Sequence, residues 1–211
     1  VKVGPKGWRT TDSDGGVNPL VLPGTYTVKL IVDKKELTQD LVVIKDPNSA
    51  GSIEDIKTQM DVLLEIRENL ASITGMINQI EWIRKQIYDL QKVLEGEKSA
   101  ESLMKKSKEL DKKFIAFEDK LIPTGYSGSY ARDGLRWPEM LYLRTSGLAS
   151  GIAQSDFPPT TQQKEAHLVL SEEFTTCEDE FKKLIEKNLK DFNKRMRKKD
   201  FPTITVTKTH S

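Results

Sequence analysis

From Ile56 to Leu94 the chain carries an apolar ladder: Ile56, Leu63, Ile66, Leu70, Ile73, Ile77, Ile80, Ile83, Ile87, Leu90 and Leu94. Steps of three, four and seven return side chains to one face only when the backbone turns every 3.6 residues, so the ladder requires one long amphipathic helix. Its spacing is that of a seam in an antiparallel bundle or short coiled coil. One extra step of three, Ile80 to Ile83, predicts local overwinding near Trp82. Ser52 is the expected N-cap, Glu54 and Asp55 suit the positive end of the helix, and Gly96 closes it.

Immediately upstream the period is two. Tyr26, Val28, Leu30 and Val32 point to one face while Thr27, Lys29 and Ile31 point to the other. Asp33-Lys34-Lys35 reads as the turn and Leu37 to Ile44 as the return strand, rich in β-branched residues. Pro23-Gly24 opens this hairpin and Asp46-Pro47 ends it, because proline cannot continue a ladder. The segment before it, "GPKGWRTTDSDGGVNP", is loop chemistry with one short strand around Trp8. Two or three strands bury too little to be stable alone. The hairpin therefore needs partner strands from earlier in a longer chain or a helical surface to lie on; the first is favoured, as the end of an Ig-like β-sandwich. On that reading Val1 begins inside a larger protein, and the lack of a leader sequence there carries no weight.

Beyond Gly96, Leu103, Leu110, Phe114, Phe117 and Leu121 mark a second helix from about Ala100 to Leu121. "IPTGYSGSYARDG" is a loop, and a shorter helix begins near Pro138, a residue suited to the first helical turn. "QSDFPPTTQQ" breaks it. Thr160 or Thr161 then caps a last long helix to about Lys198, with Leu170, Phe174, Cys177, Phe181, Leu184 and Phe192 inward. The tail "FPTITVTKTHS" alternates, and either adds a strand or stays loose. The expected fold is α+β and mainly α: an antiparallel bundle of three long helices and one short one, preceded by the hairpin. The corresponding division is 1–47 for the strands, 48–200 for the bundle and 201–211 for the tail.

Composition limits the chemistry. The 211 residues carry a net charge of +1, which gives no general attraction to nucleic acid or anionic membrane. No apolar run approaches the roughly 20 residues that span a bilayer. The single cysteine, Cys177, rules out an internal disulfide and a multi-cysteine zinc site. It shares the register of Phe174 and Phe181 and lies in the acidic run "CEDE", so it reads as a small buried hydrophobe rather than a nucleophile.

The two histidines are His167 and His210. The helical neighbours of His167 are Gln163 and Ser171, so they supply no metal ligand, and a solvated or capping role is expected. No Gly-x-Ser-x-Gly elbow occurs. Carboxylates are so abundant on the helix faces that their spacing identifies no hydrolytic pair. The basic run Lys187 to Lys199 complements a helix C-terminus, and without interleaved aromatic residues it lacks the platforms of a nucleic-acid site. Catalytic, metal and cofactor sites are therefore expected to be absent. Trp82, Trp137 and Tyr142 are the candidate interface residues, with core packing the competing role for the two tryptophans.

Several stretches together carry a family resemblance. They are "GGVNPLVLPGTYTVKLIVDKKELTQDLVVIKDPNSAG", "LLEIRENL", "MINQIEWIRKQIYDLQ", "LRWPEMLY", "LASGIAQSDFPPTTQQ" and "LKDFNKRMRKKDFP". Nearly the whole chain resembles the C-terminal region of large bacterial, Bacteroidetes-type proteins with BNR/sortilin-like β-propeller repeats, often labelled glycosyl hydrolase-like. Many relatives carry Arg after the Asp-Pro turn, where this chain has Asn48. The resemblance implies a secreted, periplasmic or cell-surface parent whose upstream propeller and sandwich are the partners of this region, with any sugar site in the propeller. It supplies no active-site residue at any position here.

Two functions follow as expectations: a non-catalytic accessory region that braces the parent or docks a protein partner, or part of a glycoside hydrolase acting on polysaccharide, with its site in the propeller or at the hairpin–bundle cleft. A self-associating coiled-coil spacer is a third.

Overall fold

The computed structural model describes residues 17–97, 100–124 and 139–206, with the backbone alone of 2–3 and 9–10. Trp8, Trp137, Pro138 and His210 lie outside the described residues. Strands β1 (Lys2–Val3) and β2 (Arg9–Thr10) form a minimal antiparallel pair. The main hairpin joins β3 (Gly24–Val32) to β4 (Lys35–Val43), in register from Gly24 opposite Val43 to Val32 opposite Lys35.

Its turn has two residues rather than the three expected. Asp33 and Lys34 both hold positive φ, 45° and 71°. That primed geometry matches the right-handed twist of paired strands, so Lys35 is drawn into the ladder and β4 ends at Val43, before Ile44.

Each face of the hairpin has its own chemistry. Tyr26, Val28, Leu30 and Val32 share one face with Leu37 and Leu41. The other is mixed: it carries the polar pairs Thr27 with Asp40 and Lys29 with Glu36, the latter an ion pair of 2.8 Å, beside exposed Ile31 and Val42.

Helix α1 (Ile53–Leu94) opens with a reciprocal cap: Asp55 N–H donates to Ser52 Oγ (3.1 Å), and Ser52 N–H donates to Asp55 Oδ2 (2.9 Å). Gly96, at φ 81°, follows its end in a conformation that glycine adopts without strain. Every ladder position from Leu63 to Leu94 is buried, and Ile56 is half-buried. The helix stays α through the Ile80–Ile83 step. Helix α2 (Glu101–Leu121) buries Leu103, Leu110, Phe114, Phe117 and Leu121 against it.

Helix α3 (Leu141–Ile152) starts later than the expected Pro138, because Met140 is still extended and Leu141 is the first of its residues to reach the core. Helix α4 (Thr161–Lys183) is capped by Thr160 and Gln163 reciprocally. It does not run on as α-helix to Lys198. A π-helical turn, Leu184–Leu189, intervenes before α5 (Lys190–Arg197).

The interruption has a packing cause. In an unbroken α-helix, positions 184, 188, 191 and 195 would share the inward face. The wider π turn advances that set by one, so Leu189, Phe192 and Met196 are buried instead of Asn188, Asp191 and Arg195. Burying unpaired charges would be far costlier than one irregular turn.

A Schellman closure ends α5, with Asp200 at φ 59° and Phe201 N–H donating to Met196 O (3.1 Å). The tail 201–206 is extended and neither joins a strand nor hangs loose. The side-chain amides of Asn193 and Gln86 bond the backbone of Ile204 and Thr205, and Ile204 is buried between them. The main core lies among α1, α2 and the α4–α5 rod. A smaller one gathers Val17, Leu63, Ile66, Leu70, Ala149 and Ile152 near the start of α1.

Candidate functional site

The link between β4 and α1 is short and hydrogen-bonded throughout. Lys45 Nζ donates to Ser49 O (2.5 Å), and Asp46 Oδ1 accepts from the backbone N–H of Asn48 (2.8 Å) and from its side-chain amide (3.2 Å). Asn48 thus closes the turn on Asp46. Gly51 is buried so tightly that a Cβ there would overlap the carbonyl oxygen of Asp156. One turn into α1, the buried amide of Gln59 donates to the carbonyls of Ile152 (2.9 Å), Phe157 (3.1 Å) and Ser155. These contacts satisfy the C-terminal end of α3 and its following loop, and anchor the hairpin's exit to the bundle.

Beyond this joint the apolar face of the hairpin is open. Leu30 is 56% exposed and Leu37, directly opposite, 66%; Val28, Val32 and Leu41 are about half exposed. Gln39 and Lys35 share this face, opposite Val28 and Val32. Tyr26 fixes the start of β3, its hydroxyl donating to Leu22 O (2.7 Å).

Between α1 and α2 lies a buried ionic network. Arg84 reaches Glu118 (2.7 Å), Asp111 (3.2 Å) and Glu81 (3.3 Å). Glu118 is fully buried. Burial by itself would lower the Arg84 pKa, but the nearby Glu118, Asp111 and Glu81 outweigh it and leave the guanidinium more firmly protonated than usual. These acids pair with an arginine inside a helix seam, so the buried charges are met by a counter-charge. Among the described residues no group of three or more His, Cys, Asp or Glu side chains is arranged to hold a metal ion. No helix among the described residues is long and apolar enough to cross a membrane.

Of the candidate interface residues, Trp82 and Tyr142 lie on different helices. Trp82 is on α1, 39% exposed, with Lys85 Nζ 5.8 Å from its ring centre. Tyr142, on α3, is half-buried against both cores, which gives it a packing role. Trp137 is outside the described residues. His167 meets a partner from another helix, Glu65 Oε2 of α1, at 3.0 Å. Cys177 is buried, and its thiol pKa is raised first by desolvation and then by Glu180, with Lys120 opposing and Glu173 adding.

The residues overlooked by periodicity are polar ones in apolar registers. Glu118 falls between Phe114 and Leu121 at steps of four and three, and Gln59 falls three residues after Ile56. An acid or amide at such a position was the available signal. No family model, no curated protein and no solved structure matches this chain.

Proposed function

We propose that this chain is a non-catalytic accessory region in which the β3–β4 hairpin completes an Ig-like sandwich and the helical bundle braces the parent protein or docks a protein partner. The observation that carries the reading is the open apolar face of Tyr26, Val28, Leu30, Val32, Leu37 and Leu41; the opposite face mixes its polar pairs with exposed Ile31 and Val42. A sheet with an exposed apolar face is built to lie on a second layer.

The Tyr26 hydroxyl bond to Leu22 O supports the sandwich assignment. A tyrosine bonded back to the backbone a few residues upstream is a recurrent corner at the start of the penultimate strand in immunoglobulin-type domains. On that assignment β3 and β4 are the last two strands, and the outer edge of β3 accepts one further antiparallel strand. The shortness of the link, whose helical end Gly51 and Gln59 fix to the bundle, supports a bracing role. The resemblance to BNR/sortilin-like proteins supplies the parent: a secreted, periplasmic or cell-surface propeller protein.

Hydrogen exchange of the β3 and β4 amides tests this reading in the 211-residue chain and in a longer precursor containing the upstream domain. Exchange should be fast in the first and at least about 100-fold slower in the second, because only covered ladders reach deep protection. Equal exchange in both would reject it.

A further inference from the structure

We propose that the cleft between the N-terminal half of α2 and the π turn–α5 segment binds a small linear anion carrying two or more phosphate groups. Two neighbouring hollows form it, of about 410 and 170 Å³, sharing the lining residues Lys106, Asp191 and Arg195. Six cations line the pair, four of them from α5 and the turn after it, against two carboxylates, Glu109 and Asp191. In a chain of net charge +1 this is a marked local excess.

The π turn creates the cleft. By moving Leu189, Phe192 and Met196 into the core, it displaces Asn188, Asp191 and Arg195 from inward positions to the wall facing Lys106. Among the described residues, Lys194, Arg195 and Lys198 have neither a carboxylate nor a hydrogen-bond acceptor for their charged groups, so an incoming anion displaces no ion pair from them. The Glu109 carboxyl pKa is held below its ordinary value first by the hydrogen bond from Lys106, against desolvation, and further by the charges of Lys106, Lys105 and Lys113.

The distribution of charge selects the ligand class. Cations spread over two hollows favour linked anionic groups over a single ion. The apolar residues of the lining, Leu103, Leu110 and Phe192, are all buried, so no aromatic platform is offered for stacking a base. This inference does not depend on the accessory reading above.

Titration calorimetry of the full chain with tripolyphosphate tests it. Binding should be one to one, and should weaken at least about tenfold between roughly 50 and 200 mM salt as added ions screen the charges. The neutral double variant Arg195→Gln/Lys198→Gln should weaken binding about tenfold, on the scale of two lost phosphate contacts. A distant control of equal charge change, Lys57→Gln/Lys164→Gln, should leave it unchanged, with circular dichroism verifying the fold of both. Chemical-shift changes should be confined to 102–113 and 188–199. Absent binding, equal weakening in the control, orthophosphate binding as tightly as tripolyphosphate, or tighter binding of a single-stranded oligonucleotide of equal charge would each overturn the proposal.

Discussion

The seam of α1 and the apolar face of the β3–β4 hairpin are built from the same aliphatic residues, yet their fates are opposite. Ile73, Ile77, Ile80, Ile83 and Ile87 are wholly buried, whereas Val28, Leu30, Leu37 and Leu41 stand at least half exposed. A helical stripe needs only other helices, and this chain supplies them as α2 and the α4–α5 rod. A sheet face needs a second layer, and two strands cannot fold back to cover themselves. Apolar composition alone therefore says nothing about where a core ends; the covering element decides.

The sharpest way to break that contrast is to unbalance the bundle. Arg84→Met removes the guanidinium facing fully buried Glu118, and should destabilise the helices by about 3–5 kcal/mol, the scale for orphaning one member of a buried pair. Thermal unfolding measures it, and a loss below about 1 kcal/mol, the surface-pair scale, would mean that the network is solvated.

Next in size is the joint. Gln59→Ala takes the donor from the carbonyls of Ile152, Ser155 and Phe157, and should cost about 1–3 kcal/mol as those groups lose their partner. Faster amide exchange in the loop after α3, with the hairpin unaffected, is the expected signature. Unchanged exchange there would show the amide to be dispensable.

A smaller effect belongs to the start of α1. The Asp55 carboxyl pKa lies below its ordinary value of 3.8, because the side-chain and backbone hydrogen bonds from Ser52 favour the ionised form. With the folded value depressed, its contribution is fully present above 3.8 and is lost as pH falls through the folded value beneath that. The first turn should loosen in that acid window by amide exchange, and Asp55→Asn should abolish the step; identical acid profiles would refute it.

Smallest of all is the hairpin. Leu30→Lys should shift the melting of the bundle by no more than about 0.5 kcal/mol, the ordinary range for an exposed site, while reducing any self-association. A large destabilisation would mean that this face is already covered.

Both regions were legible in sequence because each declares its period: steps of three and four along α1, and alternation from Tyr26 to Val32. What escaped was whatever departs from a period. The π turn hides in the eight-residue gap between Leu184 and Phe192, since pattern matching tolerates a missing rung while the backbone must accommodate an added residue. Gln59 and Glu118 escaped because polar residues are discounted when a core is sought, although their registers place them inside one. The tail escaped for another reason: Gln86 and Asn193 grip it through amide side chains, a pairing that leaves no mark in the alternation of 201–206.

At 42 residues, α1 extends about 60 Å at the usual rise per residue. It leaves the hairpin through a short link whose helical end Gly51 and Gln59 pack against α3 and the loop after it. Across such an arm each degree of rotation at Ser52 sweeps the far end near Gly96 through about 1 Å, by the same geometry. A modest tilt of α1 at its start would thus be delivered at the opposite pole as a displacement large enough to open or close a contact.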